Sequence, residues 1–336
     1  MEKNKNILHL IYTPFTGVGL HGGFRGNEWY KHRIEIFKNY TLKSMLNQSN
    51  KNFIHWLSFR LEEQYNPLTK ELYNYLKGIN YPIIFTFEGL MYWDDKFTNY
   101  TLKLALRNFM MMLWDCWRYK ELKNPFMIWK YTWEDKNRTL LQRLTYVLEK
   151  FKKDFTGYDW VYMTRIDSDD MFHKDTIDLI QSQSPTEQEA LVFDSGYIYN
   201  VNTGQLADWN PPTNPPFHTI IFHNWVFFDS VKHLAYYKDF KTHEDTTRVF
   251  NCKTLKMKNY MVSFHKKQIG TEWDSSLPRR IYHKFKFEPK GYCYTTSGLN
   301  ISTHWRSGSG VRNFMIGKEY EGEEKVEILR DFGISL

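Results

Sequence analysis

A mixed α/β fold, with a mostly parallel sheet flanked by helices in the Rossmann-like manner, is what this sequence predicts. Three observations carry that expectation. Short β-branched and aromatic runs alternate with segments of helical periodicity. Their β-α-β-α-β order near the start implies a parallel sheet with helices on its faces. No internal repeat, low-complexity linker or composition break divides the 336 residues, so one continuous domain is the simplest account.

The first strand is "NILHLIYTPF", which ends at Pro14. The glycines of "TGVGLHGGFRGNEW" then mark a loop, and their spacing is not that of a dinucleotide fingerprint. Apolar residues at Ile34, Phe37, Leu42, Met45 and Leu46 predict a helix that closes at Asn-Gln-Ser-Asn. "FIHWLSFR" is a second strand, "TKELYNYLKGIN" a helix and "YPIIFTF" a third strand. Residues 97–153 read as largely helical, broken near Pro125. "WVYMTRI" is a strand, "KDTIDLIQSQ" a short helix and "ALVFDSGYIYN" one further strand before a turn at Asn202-Thr203-Gly204. "HTIIFHNWVFFDS" is expected to form a strand pair in which Trp225 is a buried ring rather than a sugar platform. "THEDTTRVFNC" opens a helix with Thr242 as its N-cap. "TTSGLNISTHWRSGSGVRNF" is a Gly/Ser-rich loop.

Composition narrows the function classes. The chain is 42% apolar and 25% charged, an ordinary globular mixture able to form a substantial core. Its net charge of +7 suits anionic partners such as nucleotides, nucleic acid or a membrane surface, without choosing among them. Cys116, Cys252 and Cys293 lie far apart, which argues against a disulfide framework and a cysteine-rich zinc site. A reducing, cytoplasmic setting is therefore expected. The apolar run at the N-terminus is too short for a signal peptide. "LALRNFMMMLWDCW" carries Arg107 and Asp115 and falls short of the span of about 20 apolar residues that a membrane helix needs.

The most informative stretch is "DWVYMTRIDSDDMFHKD", where Asp167, Asp169 and Asp170 crowd the end of a strand. Ligands gather at the carboxyl ends of strands in such sheets. Alternate residues of an extended segment face the same way, so Asp167 and Asp169 are expected to project together. Two hard oxygen donors on one side suit Mg²⁺ or Mn²⁺, and such an ion neutralises a diphosphate. Arg165 lies two residues earlier and is placed to stabilise the cluster or reach a phosphate. A plain solvated turn is the competing reading, and Asp170 has an ordinary role in bonding the loop.

The strand followed by "TRIDSDDMF", together with the earlier "FKNYTLKSMLNQSNKNFIHWLSF", resembles the rhamnosyltransferase family. More broadly it is similar to family 2-like glycosyltransferases of the glycosyltransferase-A fold. The resemblance covers roughly residues 7–250, which would form the nucleotide-sugar and metal core, with about 251–336 as C-terminal completion and closing loop. It implies transfer of a hexose or deoxyhexose from a nucleotide-sugar donor to an acceptor hydroxyl, with Asp167 and Asp169 holding the ion on the diphosphate. The family's base sits in an acidic pair at a helix start. Glu244 and Asp245 of "HEDTTRVF" match it, Asp245 being preferred. A helix start stabilises a carboxylate, which can take the acceptor's proton. Thr13 and Arg33 fall where such a fold holds its nucleotide. In the terminal loop His304 is the candidate third metal ligand and Arg306 the candidate diphosphate contact.

Inversion by direct attack follows from the resemblance and the candidate base; retention stays open. The acceptor is a glycan or another hydroxyl, and the basic charge also admits modified DNA. Two other classes compete. A metal-dependent phosphodiesterase or nuclease would use the same carboxylates but needs more His/Asp ligands than the sequence clusters. A nucleic-acid-binding protein would suit the charge and the rings, yet the acidic cluster would oppose binding.

Overall fold

The computed structural model describes residues 6–16, 27–89, 124–130, 139–209, 217–237, 239–240, 243–265 and 316–335, with positions 102, 106, 109, 110, 113 and 117. Strand β1 (Ile7–Pro14) is buried along its whole length, which is why it reads as a continuous apolar run rather than an alternating one. Helices α1 (Asn27–Ile36) and α2 (Leu42–Leu46) follow, joined through a π turn at Phe37–Thr41. Next come β2 (Ile54–Ser58), α3 (Pro67–Gly78) and β3 (Ile83–Thr86). Asn66 caps α3 by accepting from Leu68 N at 3.0 Å, and Pro67 fills the first turn, where no amide partner is needed. Thr139 and Gln142 form a capping box at the start of α4 (Leu140–Asp154).

Strand β4 (Trp160–Arg165) delivers the acidic segment, and β5 (Met171–Phe172) leaves it. Then follow α5 (Thr176–Ser182), β6 (Ala190–Phe193), β7 (Gly196–Asn200), β8 (Leu206–Trp209), β9 (His218–His223), α6 (Asn224–Phe227) and α7 (Ser230–Tyr236). A 3-10 turn at His243–Asp245 leads into α8 (Thr246–Val249). The described chain closes with β10 (Cys252–Leu255), β11 (Tyr260–Phe264), β12 (Ile316–Tyr320) and α9 (Gly322–Asp331).

Among the described residues, seven strands form one sheet in the order β10-β6-β9-β4-β1-β2-β3. Only β9 runs against its neighbours there. This is the mixed, mostly parallel sheet flanked by helices that the sequence predicts. On one face, Ile11, Leu57 and Tyr162 pack with Tyr30, Ile34 and Phe37 and with residues of a second sheet, among them Phe172, Ile198 and Tyr260. On the other, Leu10, Trp56 and Met163 pack with Leu144, Val147 and Phe151 of α4, Leu234 of α7 and Phe250. Leu10 and Ile11 are neighbours in β1 and serve opposite cores, as a period of two requires. No described helix is long and apolar enough to cross a membrane.

The second sheet, in the order β12-β8-β7-β11-β5, was not legible as a sheet in the sequence. "ALVFDSGYIYN" is not one strand: β6 ends at Phe193 in the large sheet and β7 begins at Gly196 in the small one. Gly196 is needed there because a Cβ would sit 2.5 Å from the Tyr260 carbonyl oxygen. "HTIIFHNWVFFDS" is likewise one strand and a helical turn, not a strand pair. That turn leaves Trp225 61% exposed instead of buried. Thr242, the expected N-cap, lies outside the described residues; Asp245 holds that position for α8 without a side-chain capping bond.

The C-terminal segment docks beside the acidic segment. Lys174 Nζ donates to Asp331 Oδ1 at 2.7 Å, and Asn47 Nδ2 donates to the Arg330 and Asp331 carbonyls at 3.1 Å. At Gly333 (φ +75°), a Cβ would fall 2.7 Å from the Lys43 carbonyl oxygen, so glycine permits this approach to α2.

Candidate active site

The carboxyl ends of β1, β2 and β4 open on one edge of the large sheet. Beyond Arg165, the last residue of β4, the chain turns: the Asp170 amide donates to the Asp167 carbonyl at 3.2 Å. The expected strand alternation therefore does not set the directions of Asp167 and Asp169. The turn does. Asp167 accepts from Arg165 Nη2 at 2.8 Å and keeps 29% of its side chain exposed. Asp169, with 7% exposed, faces inward to an ion pair with Arg33 Nη1 through Oδ2. The same oxygen meets His265 Nε2 at 3.2 Å, and Arg33 Nε donates to Ser168 Oγ at 2.7 Å.

Two remote segments thus hold the acidic turn. Arg33 comes from α1. Ser263 comes from β11, whose antiparallel register with β5 pairs Tyr260 with Phe172 and Met261 with Met171. Continued two residues further, that register brings Ser263 level with the turn, and its amide donates to Asp170 Oδ1 at 3.0 Å. His265 follows and is 1% exposed. Among the described residues its Nδ1 has no hydrogen-bond partner.

This frame sorts the carboxylates electrostatically. Burial alone would push Asp169 up, but the Arg33 guanidinium and the His265 bond outweigh it and hold the carboxyl down at about 2. Asp170 goes the other way. Burial raises it first, the neighbouring charges of Asp169 and Asp167 add to this, and the Ser263 amide only partly offsets them. The turn therefore keeps Asp169 ionised and favours a protonated Asp170.

The other candidates are less tightly drawn together. Thr13 is fully buried at the end of β1, and its Oγ1 is 2.9 Å from His55 Nε2, so its side chain belongs to an interior network. Asp245 pairs locally with Arg248, whose Nη2 lies 2.7 Å from Oδ1. The chain comes back toward the carboxyl edge just before it: the Phe240 ring lies 5.7 Å from that of His218, the first residue of antiparallel β9. The Glu244 side chain, His304 and Arg306 lie outside the described residues. Sequence reasoning did not single out Ser168, Ser263 or His265. Ser168 is the unremarkable middle of Asp-Ser-Asp, and His265 is 96 residues from Asp169.

The donor chemistry suits a divalent ion. Asp167 and Asp169 offer hard oxygens within one turn, and such ions commonly take one or two carboxylates and complete their shell with phosphate oxygens and water. No group of three or more His, Cys, Asp or Glu side chains gathers as a metal site among the described residues.

No protein-family model matches the chain, and no curated protein matches it. Among solved structures it is similar to a protein assigned as a nucleotide-diphospho-sugar transferase from Desulfovibrio desulfuricans. The identity is 12% and the TM-score 0.29, over 86% of this chain and 91% of the other. It is also similar to a protein assigned as a glucose-1-phosphate thymidylyltransferase from Bacillus anthracis, at 9% identity and a TM-score of 0.31, over 86% and 99% of the two chains. Likeness at this level carries no functional argument.

Proposed function

We propose that this protein is a metal-dependent glycosyltransferase. It moves a hexose or deoxyhexose from a nucleotide-sugar donor to an acceptor hydroxyl, on a glycan or another hydroxyl carrier, with inversion. The observation that carries this reading is the acidic turn at the carboxyl edge of a mostly parallel sheet, where Asp169 is paired with Arg33 beside the partly exposed Asp167. Arg33, on the helix that leads into the first resemblance motif, pairs there with Asp169 of the second.

In this reading Asp167 and Asp169 hold Mn²⁺ or Mg²⁺, which supplies positive charge to the diphosphate leaving group. Arg33 and Arg165 add guanidinium donors at the same edge and suit phosphate oxygens. Asp245, with Glu244 beside it, receives the acceptor's proton. As that proton leaves, the acceptor oxygen forms its bond to the anomeric carbon. The bond from that carbon to the diphosphate oxygen breaks, and the electron pair departs with the phosphate. His304 and Arg306 are assigned to the closing loop over the donor, and Thr13 to the strand end beneath the nucleotide.

The test is a panel of nucleotide sugars assayed for nucleotide release with Mn²⁺ or Mg²⁺, run beside Asp169→Ala. Turnover of one donor by the parent protein, lost in the variant, is expected. Cleavage of a phosphodiester without any sugar donor would instead place the carboxylates in a hydrolase. Indifference to every donor, with no thermal shift from nucleotide plus metal, would sink the proposal.

A further inference from the structure

Asp169 already has a counter-ion. The Arg33 guanidinium grips the turn twice, through Nη1 to Asp169 Oδ2 and through Nε to Ser168 Oγ. Both members of the ion pair are 7% exposed, so neither charge is screened by much water. A divalent ion on Asp169 Oδ2 would stand against that guanidinium in a buried site, where like charges repel strongly. One carboxylate oxygen cannot serve both at close range. A second resting place for Arg33 is at hand, since its guanidinium carbon lies 5.9 Å from the centre of the Trp29 ring.

Building on the assignment of Asp167 and Asp169 as ion ligands, we infer that Arg33 is a positioning residue that competes with the divalent ion for Asp169. Arg33 holds the turn in shape while the ion is absent. When the ion takes Asp169, the guanidinium is released at the edge where the diphosphate lies, and a bidentate guanidinium fits phosphate oxygens. Ion and diphosphate then favour each other's binding through one side chain, a reciprocal coupling. Arg33 contributes to the site by leaving Asp169 as well as by binding it.

The experiment measures Mn²⁺ affinity from the paramagnetic resonance of the free ion, for the parent chain, Arg33→Met, Arg33→Lys and Asp169→Asn. Inorganic pyrophosphate is the diphosphate probe. Arg33→Met should bind Mn²⁺ on the order of tenfold more tightly, equivalent to about 1.4 kcal/mol. The Mn²⁺-loaded variant should bind pyrophosphate more weakly. Arg33→Lys should fall between, and it carries the comparison if Arg33→Met does not fold. A merely structural arginine predicts the opposite sign, because its loss would slacken the turn and weaken Mn²⁺ binding. Unchanged or weaker Mn²⁺ affinity in Arg33→Met therefore overturns the inference. If in that case the parent chain still binds Mn²⁺ and Asp169→Asn does not, the ligand assignment stands while the competition falls. If no variant binds Mn²⁺ at all, both fall. Binding in Arg33→Met alone would support the competition in its strongest form.

Discussion

The chain carries two acidic clusters that look alike in sequence and differ in everything that surrounds them. Asp167-Ser168-Asp169-Asp170 is gathered by groups from α1 and β11, far away along the chain, and two of its carboxylates are 5% exposed as residues. Glu244-Asp245 lie in the turn that leads into a short helix, and Asp245 bonds to Arg248, three residues on. In that local pair the Arg248 side chain is 59% exposed and that of Asp245 20%. Burial is what makes the difference consequential. In the first cluster Arg33 holds Asp169 down while Asp169 and Asp167 push Asp170 up; in the second, the Arg248 end of the pair stands in water, which screens it.

The contrast can be broken at either end. Asp245→Asn should reduce turnover by about 10²- to 10⁴-fold, the usual share of a general base. Its unfolding free energy should move by no more than about 1 kcal/mol, as for an exposed pair. Chemical denaturation beside the donor assay checks both. A variant that loses activity only through loss of folded protein would remove Asp245 from the base's role.

Asp169→Ala should lose stability as well as turnover, and the stability effect is large and needs no substrate to be seen. It strands Arg33 as a buried charge, and breaking such a pair costs about 3–5 kcal/mol. Urea midpoints measure it. A loss under about 1 kcal/mol would mean that the turn is more open than the geometry shows.

Acid should find a third kind of weak point, away from both clusters. His9 and His55 are lowered from 6.5 to about 3 by burial, and each has both ring nitrogens engaged. Below 6.5 the unfolded chain takes up protons that the folded chain refuses until about 3. Stability is therefore present above pH 6.5 and lost as pH falls toward 3, by up to about 1.4 kcal/mol per unit for each histidine. The depressed Asp169 adds to this trend only between 3.8 and about 2. Denaturant midpoints across that range should be flatter in His55→Gln; an unchanged slope would show that His55 charges without unfolding.

The smallest effect belongs to Arg248→Met. It removes the partner of Asp245 on the exposed side and should change stability by about 0.2–1 kcal/mol. A larger loss would show that the second cluster is knit as tightly as the first.

How much of this was legible in advance depends on the range of the interactions. The strands β1 to β4, their parallel order and the placing of the acidic segment at a strand end follow from patterns a few residues long. The split of "ALVFDSGYIYN" between two sheets was hidden because the apolar run passes through Asp194-Ser195 with little interruption, and only Tyr260 packing on Gly196 distinguishes its halves. Trp225 was misplaced for a related reason. Its neighbours are apolar, but a helical turn at Asn224 rotates the ring outward.

The sequence by itself determined that carboxylates would crowd the carboxyl edge of an α/β sheet, because periodicity and motif spacing are local properties. Which positive groups make that crowding tolerable was decided by tertiary structure. Arg33 and His265 lie 136 and 96 residues from Asp169, and no pattern in the chain marks them as its partners. Only the packing of α1 and β11 against the end of β4 brings them within bonding distance. That packing also removes the water that would otherwise screen the charges.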